Sequence, residues 1–465
     1  MSRAALIATG RSTFVWAEGR AFLDRARTTL GELGAAVTGP DDLVEFAGGV
    51  VAAGFVPEPD QLPILLSGTF ADASVALAAF GRSRRPVILW AVRDPAPPGD
   101  RLHLNSLCGV NLAAHALVRN GVEVRLVYGD PEEPAVREEL RRALAGDLRP
   151  ATSGRGEALG DLAPDGEVRA ALRLLRGMRL GVVGDVPTGF TSCEYDGAWL
   201  GSCLGLDVLD MPIGEAFSRI ERVGAERRRA AVAAAVLESP TINGLDVREV
   251  DLFGAVTVAM SDLAQEARLD GLGLRCWPEF PLQLGVCPCS ALGRIAAFGI
   301  ATQCERDVNG GATMLLLRAL GSRDTFLADL VRVDEDANTA TFWHCGLAPM
   351  RLAANPREAR QDKHCNRGIG VAGNFPLRPG RVTIARLGWL RGSEYRLFLT
   401  GGEALSGPNR FKGNSVDVGL DGDAVTTMRT LVERGFEHHT VLAWTELRPQ
   451  LRRAAQILGL ELVEC

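Results

Sequence analysis

Four short stretches of this chain carry side chains that could do chemistry together. Cys304-Glu305-Arg306-Asp307-Val308-Asn309-Gly310-Gly311 places two carboxylates after an apolar run and before a helical pattern. If that run is a strand, the acids sit at its carboxyl end, where open α/β sheets place ligand sites. In extended backbone, residues two apart project to one side, so Glu305 and Asp307 could share a face. Thr325-Phe326-Leu327-Ala328-Asp329-Leu330 holds one acid inside an apolar run. Asp329 is then either a surface-strand residue or a buried charge with a partner, because buried carboxylates are paired or bind metal. Phe342-Trp343-His344-Cys345-Gly346 sets an imidazole among aromatics, as a hydrogen-bonded core histidine or as a ligand. Gly435-Phe436-Glu437-His438-His439-Thr440 brings two adjacent histidines. Alternation along a strand would turn only one of them toward a given ion.

Mixed carboxylate and imidazole ligation suits manganese and leaves zinc or iron(II) open. None of the ten cysteines falls into a CxxC pair, although Cys287 and Cys289 sit two apart. No thiolate cluster for a structural zinc is therefore expected, and the thiols read as small buried hydrophobes.

Alternating strand and helix patterns must position these residues. Ala4–Thr9, Pro63–Leu66, Pro86–Val92 and Val122–Val127 read as strands, with helical patterns over Ala17–Leu33, Ala71–Phe80 and Val110–Arg119. Such alternation indicates a parallel α/β sheet. Gly146–Gly166, rich in Gly, Asp, Pro and Ser, reads as a linker. A second α/β unit follows, with strands at Met178–Val183 and Leu272–Trp277. Its helices are expected over Ile213–Leu237, Asp246–Glu266 and Ala312–Leu320. After Val331 the texture becomes short β runs, at Thr339–Cys345, Arg381–Leu387, Glu394–Thr400 and Ser415–Val418. Helical Met428–Arg434 and Leu447–Leu458 close the chain.

Composition narrows the function classes. With 465 residues the chain exceeds one hydrophobic core. A net charge of -6 argues against a nucleic-acid binder, which would carry a basic face. No apolar run approaches the roughly 20 residues that span a bilayer, and the first ten residues do not resemble a signal peptide, so a cytoplasmic protein is expected. Lys363 and Lys412 are the two lysines in a set of 51 basic residues otherwise made of arginine, and ammonium and guanidinium are not interchangeable at a tight site. No GxGxxG follows a first strand; Gly184 and Gly189 have the wrong spacing, so NAD is not implied.

The order of these motifs resembles the L-fucose isomerase and L-arabinose isomerase superfamily, in its shorter fucose isomerase-like branch. The likeness covers most of the chain. It is densest at Asn105-Ser106-Leu107-Cys108-Gly109, Gly189 through Asp196, Cys304 through Asp329, Phe342 through Gly346, Pro379-Gly380-Arg381-Val382-Thr383 and Gly435 through His439. In L-fucose isomerases the metal-binding Glu and Asp lie 24 residues apart across a helix, as Glu305 and Asp329 do here. A metal-binding His near the C-terminus matches His439, and a further ligand of the arabinose enzymes fits His344. The chain is shorter than typical L-fucose isomerases.

The resemblance implies two Rossmann-like α/β domains, at 1–160 and 161–335, the second carrying the metal carboxylates. A β-rich C-terminal domain at 336–465 would carry the metal histidine. It also implies a homo-oligomer, often a hexamer, with Mn2+ or another divalent metal held by Glu305, Asp329 and His439. The activity implied is aldose–ketose isomerisation of an open-chain deoxyhexose or pentose, such as L-fucose or arabinose, through a metal-stabilised cis-enediolate. Glu305 and Asp329 would also carry the proton between carbons, with Asp307 orienting a ligand. Substrate contacts are expected from Arg11, Phe14, Trp277, Glu279, His344, Lys412 and His438, Arg11 and Phe14 lying in a segment that resembles one reaching a neighbouring site. Two further readings stay open: an isomerase of a sulfonated sugar such as sulfoquinovose, using cations among Arg11, Lys363 and Lys412, and a non-catalytic sugar-binding protein. A metal-assisted aldolase or epimerase is a weaker third.

Overall fold

A computed structural model describes residues 2–148 and 160–465. The core of the stretch read as a linker, 149–159, lies outside the described residues. Among the described residues no helix is long and apolar enough to cross a membrane.

Three sheets organise the chain. β1 (Ser2–Thr9), β2 (Ala35–Thr38), β3 (Leu62–Ser67), β4 (Val87–Ala91) and β5 (Val124–Tyr128) form a parallel sheet in the order β2-β1-β3-β4-β5. β3 and β4 are buried along their whole length, because helices cover both faces of a parallel sheet. The expected helices form as Trp16–Glu32, Ser74–Phe80 and Ser106–Arg119.

β6 (Arg179–Val183), β7 (Asp207–Met211), β8 (Gly271–Leu274) and β9 (Ala301–Gln303) make a second parallel sheet, ordered β7-β6-β8-β9. The single helix expected over Ile213–Leu237 is two, Ile213–Arg222 and Ala225–Glu238, separated by extended backbone at Val223 and Gly224. The strand expected over Leu272–Trp277 stops at Leu274. Cys276 and Trp277 therefore sit in the loop at its carboxyl end, where they line the cleft.

The remaining strands are β10 (Thr325–Asp334), β11 (Thr339–His344), β12 (Arg360–Lys363), β13 (Gly370–Pro376) and β14 (Gly380–Trp389). They continue with β15 (Tyr395–Ala404), β16 (Asn414–Leu420), β17 (His439–Ala443) and β18 (Glu461–Glu464). They order as β12-β13-β16-β11-β10-β17-β14-β15-β18, and β15 also pairs with β16. That extra pairing closes β16-β11-β10-β17-β14-β15 into an antiparallel barrel, leaving no free edge among these strands. β-rich structure starts at Thr325, ahead of the change of texture at Val331. Thr325–Val331 is buried on both faces, so it shows no period-2 alternation to betray a strand. Asp329, expected beside Glu305 in the second α/β unit, thus lies on a strand of the barrel sheet.

Candidate active site

Glu305 stands just beyond β9, at the carboxyl end of the second parallel sheet. The chain turns there through two consecutive left-handed residues, Glu305 (φ 57) and Arg306 (φ 61), a conformation non-glycine residues rarely hold away from functional sites. Asp307 closes the turn: its backbone N–H donates to Cys304 O at 3.1 Å. Its Oδ1 accepts from Gly310 N at 2.9 Å, capping the helix Val308–Ala319. A β-carbon on Gly310 would lie 2.6 Å from Asp307 Oδ2, so only glycine lets the helix start this close. After the helix the chain returns along β10, where Asp329 pairs directly with His439 of β17. Directly opposed residues on neighbouring antiparallel strands bring their side chains together.

These side chains converge. His439 Nε2 lies 3.8 Å from Glu305 Oε2 and 3.5 Å from Asp329 Oδ1. Its other nitrogen, Nδ1, is 2.9 Å from Asp307 Oδ2. Burial would raise the Asp307 carboxyl, but the Arg386 guanidinium, bonding it at 2.5 and 2.9 Å, and His439 hold it far below the usual carboxylate range. An ionised Asp307 accepts a proton bond, so Nδ1 of His439 carries the hydrogen and Nε2 keeps its lone pair. Burial, and then the neighbouring His438, keep the His439 ring neutral. Arg386 is fully buried and also lies 3.4 Å from Glu437.

Glu305 is gripped at both oxygens. Trp277 Nε1 donates to Oε1 at 3.3 Å, and His438 Nε2 lies 3.0 Å from Oε2. Ser192 Oγ sits 2.9 Å from His438 Nδ1, so the hydroxyl donates there and the ring donates to Glu305. Burial, the largest influence, would raise the Glu305 carboxyl; the His438 bond and the combined pull of His438, His439 and His344 outweigh it, and the carboxyl titrates below its ordinary value. Strand alternation does not separate the two histidines, because His438 belongs to the bend before β17. Their rings stand 3.9 Å apart.

Asp329 is held differently. Its Oδ1 is buried and makes no hydrogen bond among the described residues. Burial pushes its carboxyl up to about 6, against the opposing pull of His439. His344 sits beside it, its ring 5.3 Å from that of His439. The backbone N–H of Cys345 donates to His344 Nδ1 at 2.8 Å, so a neutral ring carries its hydrogen on Nε2. That Nε2 is buried without a partner among the described residues.

The donor set fits a divalent cation. Glu305 Oε2 and Asp329 Oδ1 each lie within 4 Å of the bare Nε2 of His439, and the Asp329 oxygen is buried without a hydrogen bond among the described residues. Ligand atoms of Glu305, His438 and His439 lie within 4.8 Å of one another.

Glu305, Asp329, His344 and His438 line a cleft of about 90 Å³. Sulfoquinovose isomerase of Alkalicoccus urumqiensis is 34% identical over 429 residues, covering 92% of this chain and 90% of its own. The sulfoquinovose isomerase of Priestia megaterium is 33% identical over 85% of this chain and 83% of its own. That of a Clostridium species is 32% identical, over 86% and 85%. No protein-family model matches the chain.

The chain belongs to the sulfoquinovose isomerase family. It is an enzyme, a sugar isomerase interconverting an aldose and a ketose. The non-catalytic reading falls with that.

Within the isomerase cleft, Arg11, Phe14, Trp277, His344 and His438 line the wall around Glu305 and Asp329. Arg11 and Phe14 reach the cleft of their own chain. Glu279 does not line it; its carboxylate pairs with Arg275 at 2.8 Å. Lys412 is also outside the lining, and its carbonyl accepts from Trp343 Nε1 at 2.7 Å. Lys363 lies 3.7 Å from Glu249, away from the lining. Arg367 supplies the second cation of the cleft, which the sequence did not reveal. Arg11 and Arg367 stand 4.6 and 5.8 Å from the ring centre of Trp277. Arg11 also pairs with Asp72 at 2.8 Å, whereas Arg367 makes no ion pair among the described residues. Burial and the nearby Arg367 charge both loosen the Arg11 proton. Sequence reasoning gave no supporting role to Ser192, Arg386 or Glu437, because the contacts that make them supports join distant segments.

Proposed function

We propose that this isomerase converts an open-chain sulfonated aldose, sulfoquinovose, to its ketose. The observation that carries this reading is the pair Arg11 and Arg367 on one indole, whose N–H bonds Glu305. A sugar lying along Trp277 meets the carboxylates at its carbonyl end and two guanidiniums at its sulfonate end. Planar guanidinium forks suit tetrahedral oxyanions. The names of the relatives support the same substrate.

Glu305, Asp329 and His439 would hold a divalent metal, Mn2+ by the hardness of the donors. Such a cation supplies Lewis-acid stabilisation of charge developing on neighbouring sugar oxygens. Glu305 and Asp329 take the proton from C2 and return it to C1, while the O2 hydroxyl proton passes to O1. His344, with its hydrogen on Nε2, donates to a sugar oxygen rather than binding the ion. His438 keeps Glu305 ionised and aimed, and Asp307 fixes the His439 tautomer. Phe14 supplies an apolar wall.

The wider reading places the enzyme in the fucose isomerase-like superfamily, with Rossmann-like units at 1–160 and 161–335, a β-rich unit at 336–465, and a homo-oligomer, a hexamer by family analogy. Ten free cysteines suit a reducing, cytoplasmic setting.

The test is a panel of sulfoquinovose, glucose, L-fucose and L-arabinose assayed with Mn2+, on the wild type and Arg367→Ala. Turnover should be confined to the sulfonated sugar, and the variant should raise its KM by about 10 to 10² fold, as expected for losing a charge-assisted contact of about 1.5–3 kcal/mol. Equal turnover of the uncharged sugars, or an unchanged KM in the variant, removes the proposal.

A further inference from the structure

Ligand-bearing sulfurs gather on the same cleft wall, though no sequence spacing announces them. Cys289 opens the helix Cys289–Ala297, Cys304 follows β9, and Cys345 and His364 follow β11 and β12. Cys289 Sγ and Cys345 Sγ are 3.6 Å apart. Two thiolates on one tetrahedral ion, each about 2.3 Å from it, stand roughly 3.8 Å apart. Ligand atoms of Cys289, Cys345 and His364 fall within 4.8 Å of one another, and so do those of Cys304, His344 and Cys345, so Cys345 is the hub. Cys289 and Cys304 are almost fully buried, at 2% and 1% exposure, and Cys345 at 9%. All three line the sugar cleft and are therefore reachable by a small ion.

We propose that Cys289, Cys345 and His364 form a second metal site, for a thiophilic cation such as Zn2+, whose occupation inhibits the isomerase. Two thiolates and an imidazole are softer ligands than the carboxylates Glu305 and Asp329, so the two sites sort cations by type. His344 couples them, since its Nδ1 lies 3.1 Å from Cys345 Sγ. A cation on Cys345 draws on the residue that holds the His344 ring in its cleft-facing pose.

The experiment adds Co2+ to the reduced, Mn2+-loaded enzyme and follows thiolate-to-cobalt charge-transfer absorption together with bound manganese. One Co2+ per chain should bind with that absorption while manganese stays and turnover falls. Cys289→Ser and Cys345→Ser should abolish the absorption, and Glu305→Gln should keep it. Should a serine variant fail to fold, alkylation mapping on the wild type decides: Zn2+ should slow modification of Cys289 and Cys345 and not of Cys203. Cobalt that replaces manganese without sulfur absorption, or unprotected thiols, overturns the site.

Discussion

His439 gives its Nδ1 proton bond to Asp307, 2.9 Å away, and by doing so turns a bare Nε2 toward Glu305 and Asp329. Arg386 keeps the acceptor ionised from the far side. The tautomer of the proposed ligand is thus set by a residue that does not face the cation. Carboxylate partners of this kind are usual around metal-binding histidines.

Asp307→Asn should therefore weaken Mn2+ binding by about 10–100-fold while sparing the sugar KM at saturating metal. It also strips a buried guanidinium of its main counter-charge, which costs about 3–5 kcal/mol. Metal titration and urea unfolding read the two effects separately. Wild-type metal affinity in a folded Asp307→Asn protein would show that the bond does not matter.

Glu305→Gln should lower kcat by about 10² to 10⁴ fold, the range for removing a positioned proton carrier. Trp277 can still donate to the amide oxygen, and the amide NH2 can donate to His438 once that ring carries its hydrogen on Nδ1 toward Ser192, so the melting temperature should stay close to that of the wild type. Steady-state kinetics beside a thermal melt decides it. Retained turnover would dismiss Glu305 from the chemistry.

Chelation offers a third check. Stripped protein should lose activity, regain it with Mn2+, and melt at a higher temperature with metal than without. At roughly 100 times the dissociation constant, binding to the folded state alone adds about 2.7 kcal/mol. In Asp329→Ala, whose orphaned oxygen is gone, that metal-dependent rise should shrink sharply. A melting curve indifferent to Mn2+ in the wild type would count against any site at these residues.

Acid stability turns on a residue outside the site. His115 is wholly buried, its Nδ1 3.2 Å from Thr191 Oγ1 and its Nε2 3.1 Å from the Trp389 carbonyl. Burial lowers its pKa from 6.5 to about 4. The unfolded chain then binds a proton at a higher pH than the folded one. Stability should be complete above pH 6.5 and fall between 6.5 and about 4, by about 3 kcal/mol for this group. His115→Gln, which cannot titrate, should flatten that part of the curve in denaturant unfolding across pH. An unaltered slope would assign the acid sensitivity elsewhere.

Much of the site was readable one residue at a time. The 24-residue step from Glu305 to Asp329 was picked out by the family resemblance, and the helix between them was legible from local pattern. The adjacent histidines also announced themselves. Glu279 did not behave as its position suggested, because an arginine four residues earlier captures its carboxylate. Asp329 could not be assigned to a sheet, since a strand buried on both faces has no period to read.

The chain by itself determined the alternation of α/β units and late strands, the residue types able to bind a hard cation, and the spacing of two acids. Those properties are local, fixed by propensity and by the positions of a few side chains along one segment. Only the tertiary structure decided that Asp329 faces His439 across paired strands, that Arg386 holds Asp307 ionised, and that Arg367 shares Trp277 with Arg11. It also gathered cysteines from four segments onto one wall. Such contacts join residues tens to hundreds of positions apart, and their distances follow from sheet register and barrel closure, which no single stretch of sequence contains.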